Sequence, residues 1–178
     1  GNNGTDESSK GNKNYRIKAY ADVSNGTITL KSGTFTYNGL TQTPAVASVK
    51  DSSGNVLTEG TDYVLILPAS SVDAGTYTAE AVSASDKTNV IAETDYTIKA
   101  ADLGSAAVSV NPSSDVYDGN EKKTSVTVSW TNGSGTKVTL SEDQDYTVYI
   151  PSLVEAGNYT LTLSGEGNFS GVAYGQFR

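Results

Sequence analysis

Hydrophobic and polar residues alternate along several stretches of the chain. Segment 158–164 reads Asn-Tyr-Thr-Leu-Thr-Leu-Ser, segment 125–130 reads Ser-Val-Thr-Val-Ser-Trp, and segment 76–81 reads Thr-Tyr-Thr-Ala-Glu-Ala. Successive side chains of a β-strand point to opposite faces, so this period of two places the apolar residues on one face and the polar residues on the other. The pattern predicts half-buried antiparallel strands.

Turn residues separate these alternating stretches. Segments 51–55 (Asp-Ser-Ser-Gly-Asn) and 131–135 (Thr-Asn-Gly-Ser-Gly) lie between two predicted strands each. Gly and Asn accept the positive φ that tight hairpin loops require. We therefore expect a hairpin at each of the two segments.

The two halves of the chain repeat the same landmarks in the same order, a sign of internal duplication. The matched segments are Tyr-Asn-Gly at 37–39 and Tyr-Asp-Gly at 117–119, Asp-Tyr at 62–63 and 145–146, Pro68 and Pro151, and Val-Asp-Ala-Gly-Thr-Tyr-Thr at 72–78 and Val-Glu-Ala-Gly-Asn-Tyr-Thr at 154–160. The spacing between copies is 80 residues at the first landmark and 82 at the last. The chain is thus predicted to contain one module twice.

The repeat also predicts domain boundaries. We expect a first domain over residues 15–99 and a second over 100–178, joined by a short link near Lys99 to Gly104 that allows hinging. Residues 1–14 contain nothing apolar and are predicted to be a flexible leader. Residues 15–23 resemble the strand that closes each copy, so they are either a remnant of a longer array, which we favour, or an extra strand.

The predicted fold is all-β, with two tandem immunoglobulin-like β-sandwich domains. Each copy yields six or seven short strands over about 80 residues, which suits two packed antiparallel sheets. Thr, Val, Tyr, Ser and 18 Gly dominate the composition, as expected for short strands joined by tight turns.

Composition excludes several classes of function. The chain has no Cys and no His, so it lacks thiolate nucleophiles, imidazole bases and the usual zinc ligands. A net charge of −8 disfavours nucleic acid and anionic membranes as partners, and no apolar run reaches the ~18 residues of a membrane helix. We expect a monomer with no enzyme activity, no cofactor, no bound nucleic acid and no membrane insertion.

The repeated motifs resemble those of bacterial immunoglobulin-like repeats, which occur in tandem on secreted and cell-surface proteins, particularly of gut bacteria. The resemblance lies in the Tyr-Asx-Gly turn, the Asp-Tyr entry, the Ala-Gly-x-Tyr turn and the segment Gly-Glu-Gly-Asn-Phe-Ser-Gly at 165–171, and it covers nearly everything after residue 27. The first copy departs from it, with Ser-Ala-Ser-Asp-Lys at 83–87 in place of the Gly-x-Gly-Asn-aromatic loop. The resemblance implies surface display and an adhesive or spacer role.

Two aromatic residues are the candidate ligand-binding pair. Nine of the fifteen aromatics occupy equivalent places in the repeats and are predicted to serve packing or turns. Trp130 and Tyr149 have no aromatic counterpart in the other copy. Exposed Trp and Tyr rings are common on glycan-binding surfaces. Their parity separates them, however, since Trp130 alternates in phase with Val128 and is expected in the core, whereas Tyr149 is expected to face outward.

An acidic loop is the weak metal candidate. Glu142, Asp143 and Asp145 supply carboxylate oxygens at close spacing, a ligand type suited to Ca²⁺. No Gly-containing loop of the EF type surrounds them, and Asp62 stands alone in the first copy. A solvated acidic loop without metal is therefore the preferred interpretation.

The sequence as a whole favours a non-enzymatic extracellular or cell-surface module of a bacterial protein that acts as spacer, stalk or adhesion unit. The alternative is a carbohydrate-binding module associated with glycan-degrading machinery. The expected partner of a spacer, stalk or adhesion unit is an extracellular protein or a glycan. The expected partner of a carbohydrate-binding module is a glycan.

Overall fold

The structure, a computed structural model, describes residues 25–178 and is all-β, as predicted. Within that range the helical structure consists of one 3-10 helix, Leu103–Ser105. No helix in the described part is long and apolar enough to cross a membrane. The expectations for residues 1–14 and 15–23 lie outside the described residues.

Fifteen strands follow one another along these residues. The part with the first set of landmarks forms β1 (Thr27–Leu30), β2 (Thr34–Thr36), β3 (Val46–Lys50), β4 (Val56–Leu57), β5 (Tyr63–Ile66), β6 (Gly75–Ser83) and β7 (Val90–Lys99). The part with the second set forms β8 (Ala101–Asp102), β9 (Ala107–Asn111), β10 (Ser125–Thr131), β11 (Lys137–Thr139), β12 (Tyr146–Tyr149), β13 (Tyr159–Gly165), β14 (Phe169–Ser170) and β15 (Val172–Phe177).

The strands form several small sheets with orders β1-β3-β4, β2-β7-β6-β5, β11-β10-β9, β12-β13-β15 and β14-β8. β2 pairs with β7 and β8 with β14 in parallel, whereas β13 pairs antiparallel with β12 and with β15. The predicted alternation is confirmed: along β13, Leu161 and Leu163 are fully buried while Thr160 and Ser164 are exposed.

Contacts between residues divide the chain into two compact units. Of the described residues, the first unit contains 25–33, 44–69 and 78–96, and the second contains 34–43, 70–77 and 97–178. The second unit therefore includes two segments that carry landmarks of the first sequence copy. The domain boundary placed between residues 99 and 100 stays a prediction.

The segment expected to be a link is a packed part of the second unit. Ala101 is 5% exposed and Leu103 is fully buried. The backbone N–H of Ala101 donates to the carbonyl of Asn168 at 2.9 Å, where β8 pairs with β14. Burial and backbone hydrogen bonds thus hold this segment within the second unit, and hinging at it stays a prediction.

Each unit has its own hydrophobic core. The core of the first unit consists of Ile28, Val49, Tyr63, Ala81 and Ala92. The second unit has a larger core around Trp130, Tyr146, Leu163 and Phe169 and a smaller one of Leu153, Leu161 and Phe177.

Both predicted hairpin loops are present, and one side chain organises each of them. Asp51 accepts hydrogen bonds from the backbone amides two and four residues further on, both at 2.9 Å. Asn132 does the same at 3.0 and 2.9 Å. A short polar side chain that bonds its own turn in this way is the reason why Asp and Asn favour such loops.

A tyrosine in each copy ties down the turn that precedes β6 or β13. The hydroxyl of Tyr77 donates to the carbonyl of Asp73 at 2.8 Å, and that of Tyr159 donates to the carbonyl of Glu155 at 2.5 Å. In both copies the tyrosine hydroxyl thus bonds the backbone four residues upstream. This pair therefore serves turn packing, as predicted.

Candidate functional site

Three aromatic rings meet in the second unit, and we call them the aromatic cluster: Tyr37, Trp130 and Phe169. Trp130 lies near the end of β10 and is 9% exposed. Tyr37 stacks on it with ring centroids 5.4 Å apart and planes 16° from parallel. Phe169 meets Trp130 edge-on at 5.2 Å and Tyr37 edge-on at 5.6 Å.

Each ring of the aromatic cluster contacts the other two. Offset-stacked and edge-to-face aromatic pairs each contribute about 0.5–1.5 kcal/mol beyond the area that they bury. The stacking of Tyr37 also covers a face of the indole that a sugar ring would need. The predicted core position of Trp130 is confirmed, and the residue is occupied with packing.

Polar contacts fasten the backbone around the aromatic cluster. The side-chain oxygen of Asn168 accepts the N–H of Ala74 at 2.7 Å, and its amide nitrogen donates to the Asp73 carboxylate at 2.8 Å. The N–H of Gly133 donates to the carbonyl of Asn38 at 2.7 Å. Both ends of the Asn168 amide are thus satisfied, which fixes its orientation.

A pocket of about 340 Å³ lies beside the aromatic cluster. Its polar lining comprises Asp73, Asn132, Gln144, Asp145 and Asn168. Burial raises the pKa of Tyr37, and the charges of Asp73 and Asp145 raise it further, while a hydrogen bond with Asn168 lowers it in part. The phenol therefore stays protonated at neutral pH and does not act as a base there.

Tyr149 lies on the outward face of β12 and is 68% exposed, which confirms the predicted orientation. It pairs across the sheet with Thr162, and Thr162 pairs on its other side with Tyr174. Tyr174 is 58% exposed. We call Tyr149, Thr162 and Tyr174 the tyrosine row, and the ligand-binding role of Tyr149 stays a prediction.

Tyr174 was not chosen from the sequence, although its neighbours contain the signal. Along β15 every second residue, Ala173, Gly175 and Phe177, is buried, so the residues between them face outward. The same parity argument that was applied to β12 finds it. Trp130, the residue first paired with Tyr149, lies in the core, so the exposed aromatic next to Tyr149 across the sheet is Tyr174.

In the acidic loop, Asp145 closes a turn. Its carboxylate accepts the backbone N–H of Ser141 at 2.8 Å. The carboxylate of Asp62 accepts the N–H of Thr58 at the same distance. In both copies an aspartate thus closes this turn by accepting the N–H four residues upstream. Asp62 is therefore the structural equivalent of Asp145, and since Glu59 stands at the place of Glu142, the one additional carboxylate of the second copy is that of Asp143.

The rest of the acidic loop follows the first copy as well. Asp143 has φ 64° where the first copy has Gly60 at φ 80°. Burial raises the pKa of Tyr146, which follows the loop, and the charge of Glu142 raises it further. Among residues 25–178 no group of three or more carboxylates is placed to hold a metal ion.

One family model matches the chain in two overlapping segments. The family model described as MBG domain matches residues 24–112 and again residues 104–170. The second match begins 80 residues after the first, which is the spacing between the two Tyr-Asx-Gly turns. Neither the curated proteins nor the solved structures give a significant match.

We predict that Tyr37→Ala destabilises the second unit while Tyr117→Ala does not. The first substitution removes two aromatic contacts and should lower the free energy of unfolding by about 2 kcal/mol. The second removes a ring that is 57% exposed and should change it by less than about 0.5 kcal/mol. Urea denaturation followed by Trp130 emission measures both, and equal losses would contradict the role given to Tyr37.

We also predict that Asp145→Ala lowers the free energy of unfolding by about 1 kcal/mol, because it leaves the N–H of Ser141 without its acceptor. Asp145→Asn keeps an oxygen acceptor and should lose much less. Asp62→Ala is the matched variant in the first unit. Thermal melts with Ca²⁺ and with chelator should coincide, and a melting temperature that rises with Ca²⁺ in the wild type alone would restore the metal site.

Proposed function

This chain belongs to the MBG domain family, and from that premise we propose that it is a non-enzymatic module of a bacterial secreted or cell-surface protein, serving as spacer, stalk or adhesion unit. MBG domains are β-rich repeat modules that occur often in extracellular proteins. Among these roles the geometry favours the load-bearing stalk.

The observation that carries this proposal is the parallel pairing of an early strand with the closing strand. In β2 and β7, Thr34 pairs with Thr97 and Thr36 with Lys99. The N–H of Tyr37 adds a further bond, to the carbonyl of Lys99 at 2.7 Å. The start of β2 and the end of β7 therefore lie at opposite ends of the pairing.

Parallel pairing determines how the chain bears tension. When the start of one parallel strand and the end of the other are pulled apart, the strands must slide past each other and their hydrogen bonds are loaded together. When neighbouring ends are pulled, the bonds open one at a time. Tension applied between the residue before β2 and the residue after β7 loads the pair in the first way, so this arrangement suits a stalk.

The second copy repeats the arrangement. The N–H of Arg178 donates to the carbonyl of Ser113, and the N–H of Asp115 donates to the carbonyl of Arg178, both at 3.0 Å. Arg178 follows Phe177 as Thr97 follows Tyr96, and Ser114 lies 80 residues after Thr34. The same register thus recurs where the second copy closes.

The use of the polar residues supports a role without catalysis. Asp62 and Asp145 close turns, and Asp51 and Asn132 organise hairpin loops. These side chains are committed to backbone amides in both copies. Their bonds to the amides of their own turns, repeated at equivalent places, favour a structural purpose.

Mechanical unfolding tests the stalk. The chain contains no Cys, so pulling handles can be attached at Gly33→Cys with Ala100→Cys, which shears β2 against β7, or at Leu40→Cys with Ala100→Cys, which peels them. We expect the first pair to need the higher force. Equal forces in the two geometries would remove the support for a load-bearing role.

Glycan binding is the second candidate function, and the tyrosine row favours it. Tyr149 and Tyr174 expose most of their side chains on one face of the sheet, and neighbouring strands lie about 4.8 Å apart, so the two residues are roughly 10 Å apart across Thr162. Two exposed rings at that separation can contact successive sugar residues through their apolar faces.

If the tyrosine row binds glycans, soluble polysaccharides should retard the chain in affinity electrophoresis. Tyr149→Ala and Tyr174→Ala should each abolish the retardation, and Tyr117→Ala, which alters an exposed tyrosine elsewhere, should not. Trp130 emission should stay unchanged because its ring is covered by Tyr37. Identical mobility with and without every polysaccharide tested would eliminate this function.

A further inference from the structure

Two equivalent tyrosines have different environments. Tyr37 and Tyr117 open the same Tyr-Asx-Gly turn, 80 residues apart. Tyr37 is half-buried in the aromatic cluster, whereas Tyr117 is 57% exposed and its neighbour Val116 is 79% exposed. Two adjacent exposed apolar residues at a place where the first copy is covered need an explanation.

The two turns have the same conformation, so the difference does not come from local structure. The side chain of Asn38 accepts the N–H two residues on at 2.9 Å, and so does that of Asp118. Gly39 and Gly119 have φ 75° and 78°. Each turn is thus a preformed surface of the same shape.

The same support lies behind both turns. The N–H of Gln42 donates to the carbonyl of Ser71 at 2.9 Å, and the N–H of Lys122 donates to the carbonyl of Leu153 at 3.0 Å. Lys122 also bridges to the Asp118 carboxylate at 2.8 Å and holds the pKa of that group at about 2. The second turn is ordered without anything that covers it.

Residues of the second sequence copy cover the first turn. Trp130 stacks on Tyr37, the N–H of Gly133 reaches the carbonyl of Asn38, and Asn168 bonds the backbone and side chain of segment 73–74. A Cβ placed on Gly39 would lie 3.2 Å from that of Asn132. All these contacts come from two segments, 130–135 and 165–170.

The second turn offers the same groups with nothing against them in the described structure. A Cβ on Gly119 would have no neighbour within 4 Å. Glu155 and Ala156, the counterparts of Asp73 and Ala74, are exposed. Together with Val116 and Tyr117 they line one shallow pocket of about 90 Å³.

We propose that this surface, which we call the Tyr117 turn, docks a further repeat of the same family, one that carries a Trp at the position of Trp130 and an Asn-Phe pair at that of Asn168 and Phe169. The proposal rests on the proposed function and adds to it the partner that one module of a stalk would contact. Trp would stack on Tyr117, and Asn would bond Glu155 and the Ala156 amide.

The occupant is a further repeat and not a second copy of this chain. The Trp130 face of any copy is already covered by its own Tyr37. The first repeat has no such face, because Val49 pairs with Leu57 across its hairpin as Trp130 pairs with Val138, and segment 83–87 replaces the Asn-Phe loop. Neither repeat of a second chain therefore presents a free aromatic face.

The parallel pairing at the end of the second copy supplies the register for a following repeat. Because Arg178 occupies the place of Thr97, a strand that continues from it would run beside residues 115–117, as β7 runs beside β2. That path carries the chain toward the Tyr117 turn.

The test extends the chain with a copy of residues 98–178 placed directly after Arg178, so that Ile98 follows the residue equivalent to Thr97. Asp118→Cys is combined with Gly133→Cys in the added repeat. A Cβ on Gly133 lies 3.2 Å from that of Asn38, close to disulfide geometry, so Asn38→Cys with Gly133→Cys in the unextended chain is the positive control.

We expect both cysteine pairs to form a disulfide on mild oxidation and Ser114→Cys paired with the same added cysteine to form none. If the control pair closes and the Asp118→Cys pair stays reduced, the proposal is overturned. An added repeat that fails to fold also overturns it, because its sequence is that of the second copy and only the docking surface differs. Self-association of the unextended chain that Tyr117→Ala abolishes would overturn the choice of occupant.

A second measurement uses fluorescence. With Trp130→Phe in the original repeat, the Trp of the added repeat is the sole tryptophan. Tyr117→Ala should raise its quenching by acrylamide, Tyr117→Phe should not, and Tyr149→Ala is the control at another exposed tyrosine. If Tyr117→Ala leaves the acrylamide quenching of this Trp unchanged, docking is contradicted. The stalk is judged separately by the pulling experiment on β2 and β7, so either proposal can fail alone.

Discussion

The stacking of Tyr37 on Trp130 is the interaction on which the second unit depends. It brings segment 34–43 against the hairpin after β10, and Phe169 fixes the remaining side of the aromatic cluster. Backbone and amide bonds from Gly133 and Asn168 then hold the same segments in place. Aromatic burial stabilises the contact, and the directional polar bonds fix the register of the segments that meet there.

This contact also decides what the conspicuous aromatic residues can do. Trp130, the natural first choice for a ligand-binding residue, has its indole covered, so packing accounts for it. The rings left to solvent, Tyr149 and Tyr174, lie on the outward face of a sheet. The carboxylates are used in a similar way, since Asp62 and Asp145 each close the turn before a buried tyrosine. These carboxylates thus bond backbone amides of their own loops.

Several features followed from local sequence alone. The alternation along β10 and β13 predicted which residues are buried, because a strand has only two faces. The hairpin loops at Asp51 and Asn132 followed from side chains that bond their own turns. Tyr149 was found by parity, and Tyr174 could have been found in the same way. The sequence did not predict that Leu103, in the segment expected to be a link, is buried, because polar and small residues surround it in the chain.

The sequence by itself determined the strands, the turns and the duplication, since each depends on residues close together in the chain. Only the tertiary structure decided which of two equivalent residues is covered. Tyr37 and Tyr117 share one motif and one turn conformation, yet the first is packed and the second is exposed. The difference arises from Trp130 and Phe169, which lie about 90 and 130 residues beyond Tyr37, and burial depends on such distant neighbours because apolar surface is removed from water by whatever packs against it.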